Sequence, residues 1–97
     1  MKSYFLSLIA EQDIDEIVSY IAKENIRAAI NLLDSLYETM DMLALNPMLG
    51  HKREDLSDKP VRFWPFKRHY LIIYKDCSPI EIVRVLSGYR DISNLLG

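Results

Sequence analysis

The sequence predicts an α+β fold: an N-terminal strand, a two-helix hairpin, then a three-stranded antiparallel meander. Three observations lead there. Through the first half, apolar residues recur at three- and four-residue spacings, the pattern of helices with one buried face. Through the second half, β-branched and aromatic runs of strand length are separated by turn residues. The helical and extended segments are also grouped rather than alternating, which places helices on one face of an antiparallel sheet.

The chain has 97 residues, enough for one domain, 1–97, burying roughly 60–70% of its unfolded surface with little stability to spare. Its 49% hydrophobic and 27% charged fractions are those of an ordinary soluble globular protein. No apolar run nears the roughly 20 residues that span a bilayer, and no signal-peptide pattern opens the chain, so a cytoplasmic protein without a membrane partner is expected. One cysteine, Cys77, excludes an intrachain disulfide and a multi-cysteine metal site, and two histidines add no metal pattern. No metal or other cofactor is expected.

Taken in order, Ser3 to Leu8 reads as a first strand, with Ser7 or a neighbour capping the helix that follows. Ala10, Ile14, Ile17, Val18 and Ile21 mark one face of that helix, and Asp13, Asp15, Glu16 and Ser19 mark the other. The pattern restarts near Asn25. Ala29, Leu33, Leu36, Tyr37, Met40, Leu43 and Ala44 define a longer second helix ending at Asn46-Pro47, since proline disfavours helix in the residue before it. The break at Glu24-Asn25 is short, so the two helices form a hairpin.

Residues 47–60 read as a loop, long for a compact domain, which favours a partner-contacting segment over simple wiring. Lys52 and Arg53 in it are candidates for anion contact, or simply for a solvated turn. Val61 to Phe66 resumes as a strand, placed at an edge or bulge because Pro65 cannot donate to a ladder. Trp64 beside it reads as a core-margin residue or an interface anchor. His69 to Lys75 is apolar on both parities, and Asp76-Cys77-Ser78-Pro79 turns the chain into the segment beginning at Ile80.

Ile80 to Leu96 is the stretch around which the rest is organised. Its β-branched residues, apolar on both parities as far as Val85, predict the central strand. Arg84 shares the parity of Ile82 and Leu86, so it requires a carboxylate or carbonyl partner within the fold. Gly88 breaks the strand and delivers Tyr89-Arg90-Asp91 to the sheet's edge, with Asp91 capping a last turn through Leu95 and Leu96. Two helices cover one face only, so the other face is expected to receive a second copy or a different chain.

The net charge of −2 argues against strong unaided nucleic-acid binding. It is unevenly spread: residues 1–49 hold three Lys/Arg against eight Asp/Glu, giving −5, and residues 50–97 hold nine against six, giving +3. An anionic partner would therefore meet the second half.

Laid out this way, the chain resembles the RelE/ParE superfamily of toxins from type II toxin-antitoxin systems, and more closely the ParE branch. The resemblance runs through Ala10-Glu11, Asp13-Ile14 and Tyr20-Ile21-Ala22, Asn46-Pro47 with Gly50, Val61-Arg62-Phe63, Tyr70-Leu71-Ile72-Ile73-Tyr74 and Ile82 to Asp91. That last block is the specific one. Many relatives carry histidine where this chain has Ser87, so no role of that imidazole transfers. The resemblance implies a RelE/ParE-like fold, a growth-arresting toxin of the plasmid-stabilisation kind, and a cognate antitoxin whose tail wraps it. Operator DNA would be reached only through that antitoxin. With one face of the sheet left uncovered, the free toxin is expected to be poorly soluble or self-associating. In the ParE branch the implied target is DNA gyrase, poisoned without catalytic residues. In the RelE branch the implied target is ribosome-bound mRNA, with Arg62, Arg84, Tyr89 and Arg90 as the possible catalytic parts; that chemistry needs a proton acceptor, a proton donor and cations on the phosphorane. Lys52, Arg53, Arg62, Trp64, Tyr70, Tyr74, Arg84, Tyr89 and Arg90 are the candidate contacts to target or antitoxin.

Overall fold

Ser7 and Asn25 set the start of the two helices. Each sits in extended backbone, and its side-chain oxygen accepts a hydrogen bond from a first-turn amide: Ala10 N to Ser7 Oγ at 3.0 Å, Ala28 N to Asn25 Oδ1 at 3.0 Å. The computed structural model describes residues 4–53, 55 and 59–88. Along them run β1 (Tyr4–Leu6), α1 (Leu8–Ala22), α2 (Ile26–Leu45), β2 (Arg62–Phe66), β3 (Tyr70–Lys75) and β4 (Ile80–Ser87). The expected α+β order is therefore the one observed. The predicted turn at Asp91, Leu95 and Leu96 lies outside the described residues.

The meander pairs as expected, β2 with β3 and β3 with β4, both antiparallel. β1 joins it in parallel on the far side of β4, with Tyr4 opposite Ile80 and Leu6 opposite Ile82, so the sheet order is β1-β4-β3-β2. This makes β4 an inner strand over its first half. β2 is the edge strand that Pro65 requires.

Two expectations need correction. Arg84 does not share a face with both Ile82 and Leu86, because the β3–β4 register shifts between Ile73 and Tyr74: Tyr74 faces Ile82, whereas Ile73 faces Arg84. The extra residue, Val83, reverses the parity of the strand beyond it. Ile80, Ile82 and Val85 consequently join the core under the helices with Ile14, Leu36, Met40 and Ile72, while Leu86 goes to the opposite face. That opposite face is the second correction. Val61, Phe63, Leu71, Ile73 and Leu86 form a second apolar cluster, each at most 6% exposed in the chain by itself. The bulge sends Leu86 to this side, where it joins the cluster, and Val83 packs against it.

Candidate functional site

Three arrangements contain the polar and exposed apolar groups from which a site could be built. The first is the corner after α2. Pro47 ends the helix, and the turn closes with Leu49 N donating to Asn46 O at 3.0 Å. The corner is then fastened to the sheet by Tyr74, whose side chain is fully buried. Its hydroxyl donates to Pro47 O at 2.7 Å and accepts from Gly50 N at 2.8 Å. Glycine is required at position 50 by this close approach, since a Cβ there would lie 2.6 Å from the Tyr74 hydroxyl. Arg62, also buried, donates through Nη1 to Gly50 O at 2.9 Å, through Nη2 to Met48 Sδ at 3.2 Å, and through Nε to Asp76 Oδ2 at 2.6 Å. His51 continues the corner as a bridge to Phe63, closing with bonds of 2.9 and 2.8 Å.

The hydrogen bond from Arg62 holds the Asp76 carboxyl below the usual carboxylate range, against a smaller opposing effect of burial. Burial raises the Tyr74 hydroxyl above its ordinary value. A carboxyl whose pKa is lowered on folding stabilises the fold above its unfolded value of about 3.9, and that contribution is lost as pH falls through the lower folded value. Acid melts should therefore show a destabilising limb below about pH 4 that Asp76→Asn makes shallower. An unchanged limb in that variant would separate Asp76 from the acid sensitivity of the corner.

The second arrangement lies beyond the end of β1, where β4 would present an open edge. The start of α1 closes it. Ser7 N donates to Ile82 O at 3.0 Å, Ser7 Oγ to Val83 O at 2.8 Å, and Val85 N donates to Asp13 Oδ2 at 3.0 Å. The same carboxylate takes both arms of Arg84, Nε to Oδ2 at 2.9 Å and Nη2 to Oδ1 at 2.8 Å. This fork geometry, with side chains only 20% and 12% exposed, raises the Arg84 pKa above its usual value, the hydrogen bond to Asp13 being the chief cause. A notch of about 110 Å³ beside the pair is lined by Asp13, Glu16, Ile17 and the Arg84–Ser87 segment.

The third is a groove between the two helices beside β1, about 260 Å³ in volume, lined by Leu6, Ile14, Val18, Leu33 and Tyr37 together with Glu11 and Asp15. Ile26 and Ile30 extend the apolar stripe along α2, 68% and 54% exposed. Sequence reading missed this groove by assigning Leu33 and Tyr37 to the buried face. The residues α2 buries are Ala29, Leu32, Leu36, Met40 and Leu43. The signal was present all the same: Ile26, Ile30, Leu33 and Tyr37 follow a second i, i+4, i+7, i+11 stripe beside the first.

The predicted contact residues are thus dispersed. Arg62 and Tyr74 meet at the corner, with Lys52 exposed and near enough to Asp76 to act on it electrostatically. Arg53 is exposed and paired to Asp55 at 2.8 Å. Trp64 and Tyr70 are half-buried against the main core, Tyr70 with its ring 6.0 Å from that of Phe66. Arg84 belongs to the separate Asp13 cluster. Tyr89 and Arg90 lie outside the described residues. Asp13, Asp76, Met48 and Gly50 were not singled out as parts of these networks. The carboxylates and Met48 gave no local signal, whereas Gly50 after Pro47 did.

Comparison with known proteins follows the same division of the chain. A solved structure described as a chromosomal ParDE toxin-antitoxin system from P. aeruginosa superposes with a TM-score of 0.73 at 20% identity, over 92% of this chain and 98% of that one, which establishes a shared fold. No curated protein matches the sequence. The family model for the ParE toxin of the type II toxin-antitoxin system, parDE, matches residues 4–92, which include both helices, the Pro47–Gly50 corner and the whole sheet. The chain belongs to the ParE toxin family of type II toxin-antitoxin systems.

Proposed function

We propose that this toxin acts by binding rather than by cutting: it poisons DNA gyrase, a type II topoisomerase of the cytoplasm, and a cognate antitoxin holds it inactive. The observation that supports this reading is the state of its two interior arginines. A nuclease on this scaffold would need cations free to stabilise a phosphorane, beside a proton acceptor and donor. Arg62 is committed to Asp76 and Gly50, and Arg84 to both oxygens of Asp13. Freeing either guanidinium would leave a partly buried carboxylate without its partner, which is strongly unfavourable.

The antitoxin's contact surface, expected from sequence on the sheet, is better supplied by the hairpin groove, because the sheet's second face is already buried. The β2 edge and the end of β4 also offer little to an added strand. Asp13 occupies the Val85 amide, Phe63 is bridged to His51, and Pro65 has no amide hydrogen. An amphipathic segment with apolar anchors fits the groove, and basic neighbours on it would suit Glu11 and Asp15.

Induced expression should arrest growth with DNA-damage signalling and accumulation of gyrase-cleaved DNA, while a purified translation system supplied with the protein continues. Cutting of ribosome-bound mRNA by the purified protein would overturn the reading in favour of the endoribonuclease chemistry of the RelE branch.

A further inference from the structure

The turn between β2 and β3 places a lysine where the backbone disfavours one. Phe66 and Tyr70 form the last pair of the ladder, so Lys67, Arg68 and His69 make up the turn, all three exposed. Lys67 has a φ of 55°, in the left-handed region that glycine enters freely and lysine enters only at a cost. Its ammonium lies 5.8 Å from the centre of the Phe66 ring, and the turn is tied to β4 by Gly88 N, which donates to His69 O. A turn that only reversed the chain is better served by glycine or asparagine at position 67. Strained backbone under a charged residue points to a use for its side chain.

The charge on the turn is of one sign. Residues 61–75 contain no Asp or Glu. Within that run Arg62 is engaged by Asp76 and Lys75 by Glu81, just as Arg53 is by Asp55 and Arg84 by Asp13. Among the described residues no carboxylate pairs with Lys67, Arg68 or His69, and the adjoining end of β4 offers only the uncharged Ser87 and Gly88. Solubility alone is served by mixed charges. Two permanent cations and a titratable imidazole side by side repel one another until a dense anion meets them.

We propose that the Lys67–His69 turn grips the phosphate backbone of the DNA that the toxin's target holds. Duplex DNA supplies the required density, about one negative charge per 1.7 Å of its axis. The inference rests on the reading that the target is DNA gyrase, whose substrate is that duplex. About two or three phosphate contacts are too few to hold DNA unaided on a chain of net charge −2. Their part is to add to the contact made with the target protein. The turn joins the two strands farthest from β1, whereas the hairpin groove lies beside β1, so phosphate and antitoxin meet different parts of the molecule.

The test uses the full chain carrying Lys67→Gly, Arg68→Gln and His69→Gln together and singly, with Lys75→Gln as a control at the other end of β3. Four quantities are read: melting temperature, affinity for gyrase without DNA, the amount of protein giving half-maximal cleaved DNA across a salt series, and binding to duplex DNA and RNA oligonucleotides at low salt. The triple variant should melt no lower than the wild type, since glycine relieves position 67, and should bind DNA-free gyrase equally well. It should need about tenfold more protein for the same cleavage, and its plot of log potency against log salt should be shallower by roughly 2. Lys67→Gly alone should show part of that loss without melting lower, and Lys75→Gln should match the wild type. If the triple variant fails to fold, the single variants at 67 and 68 carry the same comparison. Wild-type potency and salt dependence in folded variants would overturn the proposal. So would a parallel loss of affinity for DNA-free gyrase, which would make the turn a protein contact, or a preference of the wild type for RNA over the duplex. Failure of the gyrase reading looks different, because the wild type itself would then yield no cleaved DNA. In that case duplex binding decides: its loss in the triple variant upholds the phosphate grip, and binding that is equal in both proteins, or absent from both, overturns it.

Discussion

Asp13→Ala is expected to lose about 3 kcal/mol, the low end of the cost of leaving one member of a partly buried ion pair alone. The carboxylate holds three donors, both arms of Arg84 and the Val85 amide. In a domain of about 100 residues each kcal/mol moves the melting temperature by roughly 4–8 °C, so a fall of about 15 °C should be seen. Arg84→Ala should fall comparably, because it strands the Asp13 carboxylate instead. Asp13→Asn, which can still accept from Val85 without a charge for Arg84, should lie between Asp13→Ala and the wild type. Adding Arg84→Met to Asp13→Ala should recover part of the loss, since an apolar side chain does not demand a partner. A thermal melt of Asp13→Ala that coincides with the wild type would mean the pair contributes no net stability.

Gly50→Ala should have the second large effect, and for a different reason. The added Cβ would meet the Tyr74 ring at 2.6 Å from its hydroxyl and 2.7 Å from Cε1, and the ring has nowhere to move because Tyr74 is fully buried. Overpacking of this kind costs about 1–3 kcal/mol. Displacing the ring also breaks the bonds to Pro47 O and Gly50 N. Tyr74→Phe isolates that second contribution: the Gly50 amide and Pro47 carbonyl lose their partner, at about 1–3 kcal/mol for a buried polar group left unpaired. The double variant should not regain wild-type stability, because the Cε1 contact persists without the hydroxyl. Equal melting of Gly50→Ala and the wild type would show that the corner can shift off the ring, removing the physical reason for glycine there.

Much of the fold was legible because its boundaries are local. Ser7, Asn25 and Asn46-Pro47 each act on their own turn of chain, so the hairpin could be placed from sequence. Pro65 likewise identified its strand as an edge without reference to a neighbour. What escaped was set by distant partners. Arg84 could be seen to need a carboxylate, but Asp13 lies 71 positions away among several acidic residues of the first helix. Val83 is one β-branched residue among others, and nothing in its identity marks it as the extra residue of a bulge that only the β3 register creates. Ile26 and Ile30 were visible, yet a helix with two apolar stripes gives no intrinsic sign of which one the sheet will cover. For the site, the corner's glycine and proline were legible as a turn, but its attachment to Tyr74 and Arg62 is a tertiary fact.

The parallel pairing of β1 with β4 orders events during synthesis. Residues 4–6 have their ladder partners at 80–82, and the edge of β4 is completed by Ser7 and Asp13 reaching positions 82–85. Until those late positions leave the ribosome, the first strand has no mate and Asp13 has no cation to hold. The hairpin depends on nearer contacts: its caps are local, and α1 packs on α2 within the first 45 residues. At about 5–20 residues per second, several seconds separate the emergence of the hairpin from that of the last strand. For that interval the nascent chain can hold its helix hairpin while β1 still lacks the strand it pairs with.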